Sequence, residues 1–218
     1  MELNEQANPA AAKLPVLEKV SYAFTDMAGN LLYVSMSSYI LYFYTDVFNI
    51  PVSGAGMIIL LASIVDAVSA IFWGSIVDHT HTRWGQSRPY FLWLSIPFAI
   101  GTLLAFSAPN LHGTAKLLYA GFTYILAAGV IYTGIQTTIT AILPNLTLDA
   151  GERIGANSYR MVGSLIGSFL TSTFTLPLVA LLGNGNNKRG FTLTISLFGI
   201  VAAALLLLAF KNVRERVP

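Results

Sequence analysis

Six apolar runs, each close to bilayer length, alternate with short polar breaks along the chain. They cover residues 22–48, 53–77, 90–108, 115–143, 158–182 and 191–210. About 20 apolar residues cross a hydrocarbon core as a helix. The runs are too long for membrane strands, so the pattern predicts an all-α membrane protein of six transmembrane helices. Residues 1–20 read as a polar N-terminal segment, 21–210 as the bundle and 211–218 as a polar C-terminal end. Asn49-Ile50-Pro51, Pro109-Asn110 and Gly183-Asn184-Gly185-Asn186-Asn187 are the predicted external turns. Pro97 and Pro177 fall inside the third and fifth runs. Each removes a backbone hydrogen bond and is expected to kink its helix.

Composition agrees with this pattern. Hydrophobic residues make up 55% of the 218 positions and charged ones only 10%, against about 25% charged in soluble domains. A net charge of +2 gives no support to a nucleic-acid partner. There is no cysteine, and the three histidines, His79, His81 and His112, lie in predicted loops. With no HExxH motif and no nucleophile elbow, no enzyme or metal site is expected. The first 20 residues have no short apolar core and no cleavage site, so the first helix is expected to act as its own insertion signal.

Basic residues set the predicted orientation. With the N-terminus inside, the cytoplasmic segments hold Lys13, Lys19, Arg83, Arg88, Arg153, Lys211, Arg214 and Arg216, and the external ones Lys116, Lys188 and Arg189. Both termini are therefore expected in the cytoplasm, at the plasma membrane. The sequon Asn145-Leu146-Thr147 falls on the cytoplasmic side of this scheme and is discounted.

Polar groups inside the runs are the candidate chemistry. An ionisable residue at mid-bilayer costs roughly 2.5–3.5 kcal/mol on insertion scales, so it marks a pathway or a partner. The first run places Tyr22, Asp26, Asn30, Tyr33 and Ser37 on one face. That stripe could bind a polyhydroxylated solute or be satisfied by a neighbouring helix. Asp66 stands alone in the second run, with Ala70 one turn on. It could bind a proton, join a Na⁺ shell or pair with an arginine. Gln136 leads a helical stripe with Thr133, Thr137 and Thr140, although such hydroxyls often bond only their own backbone. Arg160 is a counter-ion for Asp26 or Asp66, or a snorkelling residue at a helix end. Gly163 and Gly167 permit close helix contact. Asp78, Arg83 and Arg88 in the loop after the second run could make charge-assisted bonds that hold one side closed.

Several of these segments carry a resemblance. They are Tyr22-x-x-x-Asp26-x-x-x-Asn30, Tyr42-Phe43-Tyr44-Thr45-Asp46-Val47, Asp66, Gly74-x-x-x-Asp78, Arg83-Trp84-Gly85-x-x-Arg88-Pro89, and Pro144 to Gly167 with Thr147-Leu148-Asp149 and Arg160. Together they resemble the glycoside–pentoside–hexuronide:cation symporters of the major facilitator superfamily. The resemblance implies a sugar or glycoside carried with Na⁺ or H⁺ by alternating access. It places Asn30 and Gln136 at sugar-contacting positions, Asp66 at a cation site and Arg160 in the sugar site or a charge network, and it matches Asp26 to an early acidic residue of many members. Melibiose-permease-like members carry carboxylates where this chain has Asn30, Ala70 and Gln136, which leaves sugar and ion open. The family has twelve helices and this chain matches the N-terminal six. A second copy or a separate C-terminal half is therefore expected as partner. The alternative is a truncated, non-transporting remnant or scaffold.

Overall fold

The computed structural model describes residues 13–217. Residues 1–12, most of the predicted N-terminal segment, lie outside the described residues. Six helical rods run back and forth, as the six apolar runs require.

The first rod is α1 (Val16–Tyr42), continued by a π-helical stretch, Phe43–Val47. It starts directly after Pro15, ahead of the expected residue 22. Asn49 turns the chain with φ 53°, and Pro51 precedes α2 (Val52–Asp78). The third rod is broken into α3 (Arg88–Trp93) and α4 (Ser95–Ala105). The break has a covalent cause. Pro97 has no N–H for the Trp93 carbonyl, and its ring crowds that carbonyl. Pro177 behaves differently, because α7 (Ala150–Gly183) runs through it as one helix.

The fourth rod contains the feature that shapes the site. α5 (Gly113–Tyr124) widens into a second π-helical stretch, Ile125–Ile131, before α6 (Tyr132–Leu146). Such a stretch frees carbonyls from the helical ladder and often occurs at functional sites. α2 takes up the freed groups: Ser69 donates to the Gly129 carbonyl, and Trp73 Nε1 donates to that of Val130 at 2.8 Å. Gly129 allows the approach, since a Cβ there would lie 3.0 Å from the Ala62 carbonyl oxygen.

α7 begins at Ala150, well before the expected residue 158, with the Asp149 carboxylate accepting the Glu152 N–H as N-cap. α8 (Asn187–Asn212) is capped in the same way by Asn186. It packs against α1, α4 and α7 and buries Ile195, Leu206 and Ala209. The largest helix–helix seam joins α1 to α7. There Gly163 and Gly167 meet the backbone at Ala23 and Met27, and Thr171 donates to the Leu31 carbonyl at 3.2 Å. An aromatic cluster of Phe43, Phe106 and Phe191 closes the far end of the core.

Among the described residues, five helical segments are long and apolar enough to cross a bilayer: α2, α3 with α4, α5 with α6, α7 and α8. The first rod carries Glu18, Lys19, Asp26 and Asn30 along its length. The lipid-compatible faces of α2 and α7 remain largely exposed, and the chain is a multi-pass membrane protein.

Candidate functional site

An open recess of about 530 Å³ lies between α2 and α6. α2 contributes Asp66 and Ala70, and α6 contributes Tyr132, Thr133, Gln136 and Thr137. The π-helical stretch sets this pairing, because it shifts the register of α6 just ahead of Tyr132. Asp66 is exposed at the recess, and the Thr133 hydroxyl donates to its carboxylate. This hydrogen-bond donor is neutral, and among the described residues no arginine pairs with Asp66. Thr140 donates to its own backbone, at Gln136. On the other side of Asp66 a smaller hollow is lined by Tyr33, Ser63 and Tyr124.

Behind the recess lies a buried ion pair. Arg160 on α7 donates to Asp26 Oδ2 on α1 at 2.8 Å, and its Nε donates to Asn157 Oδ1 at 3.0 Å. Asp26 is 4% exposed. Asn30 donates to the Asp26 carbonyl at 2.9 Å and to Ser164 at 3.0 Å, and Ser168 donates to its Oδ1 at 3.3 Å. In this cluster Asp26 Oδ1 and Gln136 Oε1 are buried with no hydrogen-bond partner among the described residues. Gln136 lies beside the Asp26 carboxylate and also lines the recess, so it stands between the ion pair and the opening.

The helix-one stripe therefore divides. Tyr22 is buried and donates to the Ile139 carbonyl at 2.8 Å, which ties α1 to α6. Asp26 and Asn30 turn toward α7, whereas Tyr33 stacks on Tyr132 with centroids 4.1 Å apart and planes 7° from parallel. Of the two carboxylates, Asp66 lines the recess and Asp26 lies buried behind it. Tyr132 and Tyr124 were not singled out from sequence. Tyr132 directly precedes the polar stripe, but its stacking needs the register shift of the π-helical stretch.

The loop after α2 carries its own contacts. Asp78, Arg83 and Arg88 do not pair with one another. Arg88 donates to the carbonyls of Phe210 at 2.6 Å and Lys211 at 3.3 Å, capping α8. Arg83 lies over the Trp84 ring at 4.5 Å. The carboxylate that organises this loop is Glu215, which accepts the N–H groups of Gln86, Ser87 and Arg88 at 2.9, 2.8 and 2.8 Å. Gly85, with φ 111°, makes room for it. Residues 213–217, within the polar C-terminal end, fold back over the bundle. The Arg216 and Val217 N–H groups both bond the Asn145 carbonyl, and Arg216 pairs with Glu18 at 2.6 Å.

Fold and site together define a helical membrane unit with a polar wall set into one face. Residues 21–218 match the family model described as MFS/sugar transport protein, and the chain belongs to that family. It is 40% identical over 206 residues to the isoprimeverose transporter of Lactiplantibacillus pentosus, an alignment covering 94% of this chain and 43% of that protein. It is 35% identical over 204 residues to the inner membrane symporter YicJ of Escherichia coli (strain K12), covering 94% and 44%. It is 33% identical over 204 residues to the putative glycoside/cation symporter YagG of the same organism, again covering 94% and 44%. The chain thus spans rather less than half the length of these relatives.

Proposed function

We propose that this chain supplies one wall of a carrier that moves a glycoside, pentoside or hexuronide across the cytoplasmic membrane by cation-coupled symport. The observation that carries the reading is the recess between α2 and α6. It combines one carboxylate, several hydroxyls and a buried amide oxygen, Gln136 Oε1, that has no donor. A buried acceptor left without a donor is costly. A sugar hydroxyl entering the recess would supply one. The names of the relatives, an isoprimeverose transporter and a glycoside/cation symporter, point the same way.

In this reading Asn30, Gln136 and Tyr33 contact the sugar, with the Tyr33–Tyr132 stack as an apolar platform for a pyranose face. Asp26 and Arg160 brace Gln136 and Asn30 from behind. Asp66 binds the coupling ion, with Thr133 as its neighbour. A proton needs only the carboxylate, whereas Na⁺ needs further oxygens, which Ala70 does not provide. The recess is open on one side, so a second six-helix half closes it. Both termini face the cytoplasm.

The test is uptake of labelled glycosides, pentosides and uronides into vesicles, under imposed H⁺ or Na⁺ gradients, with the chain alone and with a second half supplied. Accumulation driven by one of the gradients is the expected result. Absence of uptake in every combination would favour the second reading, a non-transporting membrane scaffold.

A further inference from the structure

A second recess, of about 400 Å³, lies between the start of α1 and the end of α8. Its lining includes Glu18, Lys211, Arg214 and Arg216. Three cations thus surround one carboxylate, and that carboxylate is already used. Glu18 accepts both Arg216 Nη1 at 2.9 Å and Nη2 at 2.6 Å, and also the Arg214 N–H at 2.9 Å. Lys211 and Arg214 are left with exposed side chains and no ion-pair partner among the described residues. Arg88 lies within electrostatic reach of Arg214 and adds to the positive field. Like charges gathered in this way lower their mutual repulsion when an anion sits between them.

The rim has a second character. Pro15 and Leu17 line the recess, and Val16 and Leu17 are 64% and 65% exposed. Two large apolar side chains in the first turn of a membrane helix, next to two unneutralised cations, match a ligand with an anionic head and an apolar body. We infer that this recess binds the headgroup of an anionic phospholipid, with the phosphate at Lys211 and Arg214 and an acyl chain along Val16 and Leu17. Basic pockets at helix ends hold such headgroups through charge-assisted bonds. A free phosphate would use the cations but not the apolar rim. The inference rests on membrane residence and is independent of the carrier reading.

The full chain, purified in neutral detergent, is offered phosphatidylglycerol or phosphatidylcholine of the same acyl length, and bound lipid is read by native mass spectrometry. Each basic residue near an anionic lipid is worth about a fivefold gain in binding. Phosphatidylglycerol should therefore be retained in preference, and the Lys211→Gln/Arg214→Gln double variant should lose roughly 25-fold. Lys211→Gln alone, at an exposed side chain, should lose about fivefold even if the double variant folds poorly. Lys188→Gln/Arg189→Gln, at the start of α8 rather than its end, should retain the lipid like the parent. Equal retention of the two lipids would overturn the inference, as would parental binding by the Lys211 variant. Displacement by millimolar inorganic phosphate would reassign the site to a soluble anion and overturn the lipid reading.

Discussion

Arg160 on α7 and Asp26 on α1 form a 2.8 Å ion pair, their side chains 21% and 5% exposed, beside the seam where the two backbones already touch. The pair therefore serves two ends. It neutralises a carboxylate placed in an apolar bundle, and it fixes the rotation of α1, which carries Asn30 and Tyr33.

Removing one partner of a buried pair leaves an uncompensated charge, at a cost of roughly 3–5 kcal/mol. Arg160→Ala should destabilise the protein by about that much in thermal unfolding in detergent. Asp26→Asn/Arg160→Gln should recover most of the loss. If Arg160→Ala unfolds like the parent, Arg160 contributes nothing at this seam.

The seam itself depends on missing side chains. A Cβ at Gly167 would lie 2.6 Å from the Met27 carbonyl oxygen, and one at Gly163 would meet the Ala23 carbonyl. Gly163→Ala and Gly167→Ala should each cost about 1–3 kcal/mol through overpacking. Gly56 and Gly74 have no heavy atom within 4 Å of such a Cβ. Alanine at either should be neutral or slightly stabilising, because alanine is the better helix former. Unfolding midpoints of the four variants check this order.

Much of this architecture can be read from the chain, and the limits are physical. Apolar run length gives six rods because lipid sets the length. The spacing of Asp26 and Asn30 gives a shared face, but the choice of Arg160 as partner for Asp26 rather than Asp66 depends on how α7 sits on α1. Ile125–Ile131 reads as an ordinary apolar helix. Nothing in ILAAGVI announces a π-helical stretch, so the stacking of Tyr132 on Tyr33 is not legible. Asp78 and Arg83 look like a charge network because they are close in sequence. Glu215, which holds that loop, lies far along the chain and meets it only through the fold.

Glu215 and Gly85 should behave as a unit. A Cβ at Gly85 would lie 2.6 Å from the Glu215 carboxyl carbon, and the backbone there has φ 111°. Glu215→Ala strands three N–H groups and should cost about 1.5–3 kcal/mol. Gly85→Ala adds backbone strain of order 1–3 kcal/mol to the collision. The double variant should be less destabilised than the sum of the two, because removing Glu215 removes the collision. Strict additivity would show that the two residues do not interact.

Asp66→Asn should leave folding nearly intact, since the residue is exposed at the recess and the amide oxygen can still accept the Thr133 hydroxyl. In the vesicle assay it should abolish accumulation against a gradient. Accumulation equal to the parent's would remove Asp66 from the coupling site.

The chain has no cysteine, so Thr137→Cys places a unique thiol in the recess between α2 and α6. The most direct measurement is its rate of reaction with a maleimide, with and without millimolar glycosides, pentosides and uronides. A sugar-binding wall requires that the thiol react and that at least one of these sugars slow the reaction severalfold, with the protection lost in Gln136→Ala. A thiol that reacts at the same rate in the presence of every sugar would contradict it.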